Sequence, residues 1–152
     1  MSRTSALVSV IVPTLGLEER ADLLADALAS VGRQDGIGTV PIVVLNGTKA
    51  CAAVERGLRD DPRIRLVAGG ASRGASVRAG LDVLSEGIAW VAVHDGARPL
   101  LDDETVERCL AVARSGVGAV AGVPAVDTVK EVDSDGRVLR TPDRTRLWRA
   151  QT

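Results

Sequence analysis

The sequence predicts an open α/β fold with a doubly wound, mostly parallel sheet. Short β-branched runs alternate with segments whose apolar residues recur every three or four positions, as they do in amphipathic helices. The run at 88–93 is apolar at every position, which is typical of a central parallel strand covered on both faces. Because ligands bind at the carboxyl ends of the strands in such sheets, the residues that follow each strand are the candidate site.

The first half of the chain predicts three strands, each followed by a helix. The strands span 7–12, 40–45 and 64–67; the first ends at Pro13, and a turn at 46–48 follows the second. The first helix ends near Gly32 and carries its apolar stripe on Leu17, Ala21, Leu24, Leu28 and Val31. The next two are built on Cys51, Val54 and Leu58, and on Val77, Leu81 and Leu84.

The second half predicts two more strands, a helix and a hairpin. The strand at 88–93 places Trp90 in the core, and a further strand at 119–123 ends at Pro124. Between them, Asp102 or Asp103 caps a helix that ends at Gly116 and has its core face on Val106, Cys109, Leu110 and Ala113.

The segments 128–132 and 137–141 flank Ser134-Asp135-Gly136, which predicts a β-hairpin. An isolated two-stranded ribbon is only marginally stable. We therefore expect one domain over 1–152 whose β-arm, at about 126–149, rests on a second subunit of a homodimer.

Composition excludes several classes of partner. The 152 residues are 45% hydrophobic and 26% charged, as in one soluble domain. The only aromatic residues are two tryptophans and the net charge is −1, so neither aromatic stacking on nucleic acid nor a general basic field for nucleic acid or membranes is expected. No apolar run approaches the ~20 residues that span a bilayer. Cys51 and Cys109 have no CxxC partner, which favours core thiols and a cytoplasmic location.

The segment His94-Asp95-Gly96-Ala97-Arg98-Pro99 is the first candidate for chemistry. A carboxylate at Asp95 could hold Mg²⁺, and the Arg98 guanidinium could bind phosphate through two parallel hydrogen bonds. A turn with a surface ion pair explains the spacing equally well. His94 is better interpreted as a structural turn residue than as a base, since no nucleophile pairs with it in sequence.

Three other segments are weaker candidates. The loop 13–20 holds one glycine, Gly16, too few for a phosphate-binding motif, and an ordinary helix start is favoured. The glycine-rich segment 69–76 leads into a helix N-terminus that could contact a base edge or an anion, although a plain loop is equally consistent. The arm carries a basic cluster suited to a phosphorylated substrate, or to a solvated face: Thr128, Lys130, Arg140, Arg144, Arg146 and Arg149.

Taken together and in order, these segments resemble the 2-C-methyl-D-erythritol 4-phosphate cytidylyltransferase family. The resemblance is strongest over 69–152, and its most specific pieces are the motifs at 93–99, 123–130 and 147–152. It implies a Rossmann-like fold of the nucleotide-diphospho-sugar transferase type with a protruding β-hairpin arm. The implied reaction joins CTP to a small phosphorylated polyol with release of pyrophosphate, Mg²⁺ as cofactor and no covalent intermediate.

The resemblance also implies a role for individual residues. Asp95 corresponds to the carboxylate that binds metal and CTP, Arg98 to a substrate-phosphate ligand and Arg20 to the arginine that stabilises the transition state. Gly16, Gly70 and Ser76 correspond to nucleotide contacts. Thr128 and Arg144 correspond to arm residues that reach the polyol phosphate in the partner subunit's site, where Arg144 takes part in catalysis.

The sequence departs from the family pattern at several positions. Glu18 replaces a glycine of the nucleotide loop, Ala71 replaces an aspartate, and no lysine precedes Lys49. The family also continues past Thr152 with a strand, a helix and a substrate-binding lysine. These departures favour one alternative, a non-catalytic dimeric nucleotide-binding homologue. A second alternative is a family 2 glycosyltransferase, because 8–14 followed by a helix resembles the opening of that family.

Overall fold

The computed structural model describes residues 8–15, 17–34, 41–45, 52–62 and 64–151. The chain divides into two compact units, 1–108 and 109–152, and each is considered by itself. The prediction of a single domain stays a prediction.

The first unit contains a four-stranded parallel sheet. Its strands are β1 (Val8–Thr14), β2 (Ile42–Leu45), β3 (Arg65–Ala68) and β4 (Trp90–Val93), and their order in the sheet is β3-β2-β1-β4. Ile11 of β1 lies beside Ile42 on one side and Val93 on the other. This order is the Rossmann one, in which the chain changes direction between β1 and β4.

Helices cover both faces of this sheet, so the doubly wound α/β prediction is confirmed. On one face, α1 (Ala21–Gly32) and α2 (Ala52–Asp60) pack on Val12 and Val43. On the other face, α3 (Arg73–Leu81) packs on Ile11 and Val44. Successive strand residues point to opposite faces, and all four of these side chains are buried because both faces are covered.

Among the described strands, the one predicted at 88–93 lies at an edge of the sheet, whereas the sequence predicted a central position. β4 forms one edge of the sheet within the described part of the chain, and Val91 and Val93 are 38% and 36% exposed. Both lie on the α3 face, since they pair with Ser9 and Ile11. Trp90 is half-buried rather than in the core. A continuous apolar run indicates burial but does not distinguish a central strand from an edge strand.

The packing face of α3 also differs from the predicted stripe. Leu81 is 39% exposed, whereas Ser76 and Gly80 are buried and Ala79 packs on the core. Leu84, which follows the helix, does contact the core as predicted. Small residues thus form much of the contact face of this helix, and of the predicted stripe only Leu81 is exposed, since Val77 is half-buried.

The helix α4 (Asp103–Ala113) begins in the first unit and ends in the second. Asp102 accepts hydrogen bonds from the Thr105 backbone N–H (2.8 Å) and hydroxyl (2.9 Å), which confirms the predicted cap. Its predicted core face is only half-buried, including the free thiol of Cys109; these residues are Val106, Cys109, Leu110 and Ala113.

The second unit confirms the hairpin but not the fifth sheet strand. β6 (Glu131–Val132) and β7 (Val138–Arg140) pair antiparallel, and Gly136 has the positive φ of 80° that the turn requires. β5 (Gly122–Pro124) pairs antiparallel with β8 (Trp148–Ala150) instead of joining the parallel sheet. Sequence reasoning did not predict β8. No described helix is long and apolar enough to cross a membrane.

Candidate functional site

A cavity of about 590 Å³ opens where the carboxyl ends of β1 and β4 meet the start of α3. This is the point where strand order reverses and where α/β sheets bind ligands. The described residues that line it all belong to the first unit. They are Pro13, Thr14, Leu15, Leu17, Arg20, Ala71, Ser72, Arg73, Ser76, Asp95, Gly96 and Ala97.

Asp95 stands in a tight turn at the mouth of this cavity. Its Oδ1 accepts a hydrogen bond of 3.1 Å from the Ala97 N–H, and its backbone oxygen accepts one of 3.0 Å from the Arg98 N–H. The Nε of Arg98 lies 3.8 Å from Asp95 Oδ2, a solvent-exposed ion pair. The structure therefore brings Asp95 and Arg98 together, as their spacing suggested. Of these two residues, Asp95 lines the cavity and Arg98 is not among the described lining residues.

The segment 69–76 forms a closed loop on the first turn of α3. Ser76, 5% exposed, accepts a hydrogen bond of 3.2 Å from the Gly70 N–H. A Cβ on Gly70 would lie 2.5 Å from the Cβ of Ala75, so the loop can close only with glycine at this position. Gly70 and Ser76, predicted as nucleotide contacts, are thus held against each other, and Ser76 lines the cavity.

Two arginines give the cavity a positive lining. Arg20 ends the short 3₁₀ turn Glu18–Arg20 just before α1, and its backbone N–H donates a hydrogen bond of 3.1 Å to the Leu17 carbonyl. Arg73 is the first residue of α3, next to the capping Ser72. A cation in the first turn opposes the helix dipole, and that turn holds no acidic residue to offset it. Sequence reasoning passed over Arg73, although its place after a glycine-rich loop was a signal.

His94 is a turn residue, as the sequence indicated. Its backbone N–H donates a 2.9 Å hydrogen bond to the Ile11 carbonyl, and its Nε2 lies 2.9 Å from the Arg98 carbonyl oxygen. It does not line the cavity.

The two predicted arm residues lie in the second unit. Thr128 and Arg144 are both exposed, and Arg144 Nη1 donates a hydrogen bond of 3.0 Å to the Val126 carbonyl. Arg144 begins a 3₁₀ turn capped by Asp143, whose pKa is held below its usual value, first by the Thr145 hydroxyl and then by the Thr145 N–H.

Part of the predicted basic cluster is engaged within the arm. Lys130 Nζ donates a hydrogen bond of 2.7 Å to the Thr141 hydroxyl, and Arg140 forms a salt bridge with Glu131. Gly16, the Glu18 side chain, Lys49, Cys51 and Thr152 lie outside the described residues.

Among the described residues, no three His, Cys, Asp or Glu side chains cluster as a metal cage. Asp95 is the one carboxylate among the described residues that line the cavity. A single carboxylate fits Mg²⁺ when phosphate oxygens and water supply the other ligands, which is the usual arrangement in nucleotide sites.

Comparison with known proteins identifies relatives of this chain. The model of the IspD family, 2-C-methyl-D-erythritol 4-phosphate cytidylyltransferase, matches residues 15–152. The enzyme of that name from Ectopseudomonas mendocina is 44% identical over 119 residues, which are 71% of this chain and 51% of the relative. The one from Haemophilus influenzae (strain PittEE) is 44% identical over 92 residues, 60% of this chain and 40% of the relative. The chain thus spans about half or less of these relatives' length.

Solved structures show the same fold. The crystal structure of 4-diphosphocytidyl-2C-methyl-D-erythritol synthase from Anaerococcus prevotii matches with a TM-score of 0.81 at 27% identity, over 97% of this chain and 68% of that one. The cytidylyltransferase from Thermus thermophilus matches with a TM-score of 0.71 at 25% identity, over 96% and 68%. These matches decide against the glycosyltransferase alternative. The chain belongs to the 2-C-methyl-D-erythritol 4-phosphate cytidylyltransferase (IspD) family.

Proposed function

We propose that this chain transfers CMP from CTP to 2-C-methyl-D-erythritol 4-phosphate, an isoprenoid precursor, and releases pyrophosphate. The observation that carries the proposal is the cavity at the β1/β4 crossover, which combines Asp95, Arg20 and the Gly70–Ser76 loop. The family match supplies the substrate class.

The Gly70–Ser76 loop is the proposed base-binding element. A hydroxyl can accept and donate at the same time, so Ser76 can donate its hydrogen to a carbonyl or ring nitrogen of cytosine while it accepts from Gly70. Its near-complete burial makes such a hydrogen bond discriminating, because a base that cannot accept would leave a buried polar group unpaired. Gly70 lets the loop close on Ala75, which keeps the Ser76 hydroxyl at the cavity.

Arg20 and Arg73 are the proposed triphosphate ligands. Among the described lining residues, two guanidiniums stand beside one carboxylate, a positive balance suited to a polyanion. In the reaction, an oxygen of the polyol's phosphate attacks the α-phosphorus of CTP. The bond from that phosphorus to the bridging oxygen breaks, and pyrophosphate leaves with the electron pair. Arg20 stabilises the negative charge that spreads over the α-phosphate, and Arg98 holds the attacking phosphate.

Asp95 is the proposed ligand for Mg²⁺. A bound divalent cation would neutralise charge on the phosphate oxygens, which is the chemistry it supplies to this class of reaction. The turn hydrogen bond from Ala97 fixes Oδ1, so the carboxylate is held in place before any ligand binds.

The arm is the proposed dimer contact. The second unit leaves apolar side chains in solvent, including Trp148 (64% exposed) and Leu139 (62%), and a second copy of the chain would cover such a surface. Thr128 and Arg144 would then complete the partner's site. We also place the protein in the cytoplasm, in keeping with the free thiol of Cys109.

The test is release of pyrophosphate from CTP, Mg²⁺ and 2-C-methyl-D-erythritol 4-phosphate. Wild type should release it, Asp95→Asn should lower the rate by a factor of about 100 or more, and the exposed Asp82→Asn should behave as wild type. If wild type released no more pyrophosphate than Asp95→Asn, the proposed enzymatic activity would be refuted. If calorimetry then still showed CTP binding, the chain would be the non-catalytic nucleotide-binding homologue.

A further inference from the structure

His94 joins the sheet to the turn that carries the site's charged residues. Its backbone N–H continues the β1–β4 ladder with a hydrogen bond of 2.9 Å to the Ile11 carbonyl. Its ring reaches forward, with Nε2 2.9 Å from the Arg98 carbonyl oxygen. A carbonyl oxygen can only accept, so Nε2 carries the hydrogen.

Two further hydrogen bonds lie within this turn, where Asp95 accepts from the N–H groups of Ala97 and Arg98. Gly96, between them, is buried, and a Cβ there would lie 3.3 Å from Val12 of β1, so packing holds the near side of the turn against the sheet. Farther along the chain, the Leu101 carbonyl accepts a hydrogen bond of 3.2 Å from the Gln34 side chain. The His94 ring therefore ties the far side of the turn to a residue whose own backbone is fixed on β1.

We propose that His94 is a positioning residue that holds Asp95 and Arg98 at the mouth of the cavity through its hydrogen bond to the Arg98 carbonyl. It acts through these two side chains and is not among the described residues that line the cavity. Its consequence for catalysis rests on the proposed function.

Two amide replacements test this role. The side-chain nitrogen of glutamine lies about as far from the backbone as Nε2 of histidine, whereas that of asparagine is one methylene shorter and cannot reach the Arg98 carbonyl. His94→Gln should keep the tether and His94→Asn should lose it. The two variants otherwise match in charge and polarity.

Amide hydrogen exchange measures the tether directly, with no need for activity. In His94→Asn the amides of Ala97 and Arg98 should exchange about tenfold faster than in wild type, while those of α1 and β2 stay unchanged. In His94→Gln all four regions should match wild type. Unchanged exchange at Ala97 and Arg98 in His94→Asn would overturn the tether.

Kinetics then measures whether the tether matters for the reaction. His94→Asn should lower kcat by about tenfold at an unchanged melting temperature, with a smaller effect on KM for CTP, and His94→Gln should restore it. Loss of the tether without loss of kcat would overturn the positioning role. If wild type releases no pyrophosphate, the proposed function fails and the catalytic role of His94 fails with it, while hydrogen exchange still decides whether His94 holds the turn.

Discussion

Gly80 of α3 lies directly against Ile11 of β1. A Cβ on Gly80 would lie 2.8 Å from Cγ2 of Ile11 and 3.1 Å from Cγ2 of Val44, well inside the ~3.5 Å at which carbon atoms pack. Both neighbours are fully buried. The helix that begins at the candidate base-binding loop therefore rests on the sheet with no side chain between them at this point.

Gly80→Ala should destabilise the protein, because the added methyl meets two buried side chains that have no room to move. We expect a loss of about 1–3 kcal/mol in the free energy of unfolding, measured by urea denaturation. Gly57→Ala is the matched control, at an exposed position of α2 where nothing lies within 4 Å of the added carbon. It should stabilise by about 0.5–1 kcal/mol. Equal effects at the two sites would contradict the close packing of α3.

Local patterns were sufficient to predict most of the elements. β1, α1 and the β6–β7 hairpin each carry their signal within the segment itself: a β-branched run, an apolar stripe and a turn with a positive-φ glycine. Strand partners are not local. The edge position of β4 and the pairing of β5 with β8 depend on which segments come together in the fold. The strand β8 has only three residues, with Arg149 in the middle, and its sequence shows no strand pattern.

The candidate site was predictable where the residue type itself carries the chemistry. Asp95 was identified by its type and by its place after a strand, whereas Ser76 was identified through the family resemblance, and the structure puts both on one cavity. Arg73 was missed because an arginine at a helix start is common on protein surfaces. The tether from His94 to Arg98 joins a ring to a backbone carbonyl, and side-chain patterns do not reveal such contacts.

Ser76→Ala should weaken CTP binding without disturbing the reaction step. The change removes the acceptor of the Gly70 N–H and the proposed donor to the base, so Kd for CTP should rise about tenfold while kcat stays within about twofold. Calorimetry and initial rates measure the two quantities. Ser85→Ala, at an exposed position outside the cavity, is the control and should match wild type. A fall in kcat at unchanged Kd would place Ser76 outside the base subsite.

Asp102 should make α4 sensitive to acid. Its pKa is lowered from 3.8, first by the Thr105 N–H and then by the Thr105 hydroxyl. The folded state therefore binds this proton more weakly, so the stabilisation is complete above the ordinary pKa and is lost as the pH falls through the folded one. Asp102→Asn keeps a cap but does not titrate. Wild type should have a higher melting temperature than Asp102→Asn at pH 6, and this difference in melting temperature should shrink as the pH is lowered from about 5 to about 2.

Thr105→Ala checks the cause assigned to that shift. The variant removes the hydroxyl donor and keeps the backbone N–H, so the acid-dependent part of the difference should become smaller but not vanish. A melting difference between wild type and Asp102→Asn that stays constant from pH 6 to about pH 2 would mean that the Asp102 carboxylate does not titrate with unfolding.

Arg144 should act on the partner's site, and mixed dimers reveal whether it does. Asp95→Asn and Arg144→Ala chains should each be nearly inactive alone. In a heterodimer of the two, one site combines the normal Asp95 of one chain with the normal Arg144 of the other and is intact. Random pairing makes half of the dimers mixed, so the mixture should show roughly a quarter of wild-type activity. Asp95→Asn mixed with Arg20→Ala is the control, because both residues line the cavity of the same chain and no site free of its own change forms. If Arg144 served its own chain, the first mixture would stay as inactive as the control. Recovery in the first mixture alone would establish that the arm is shared between subunits.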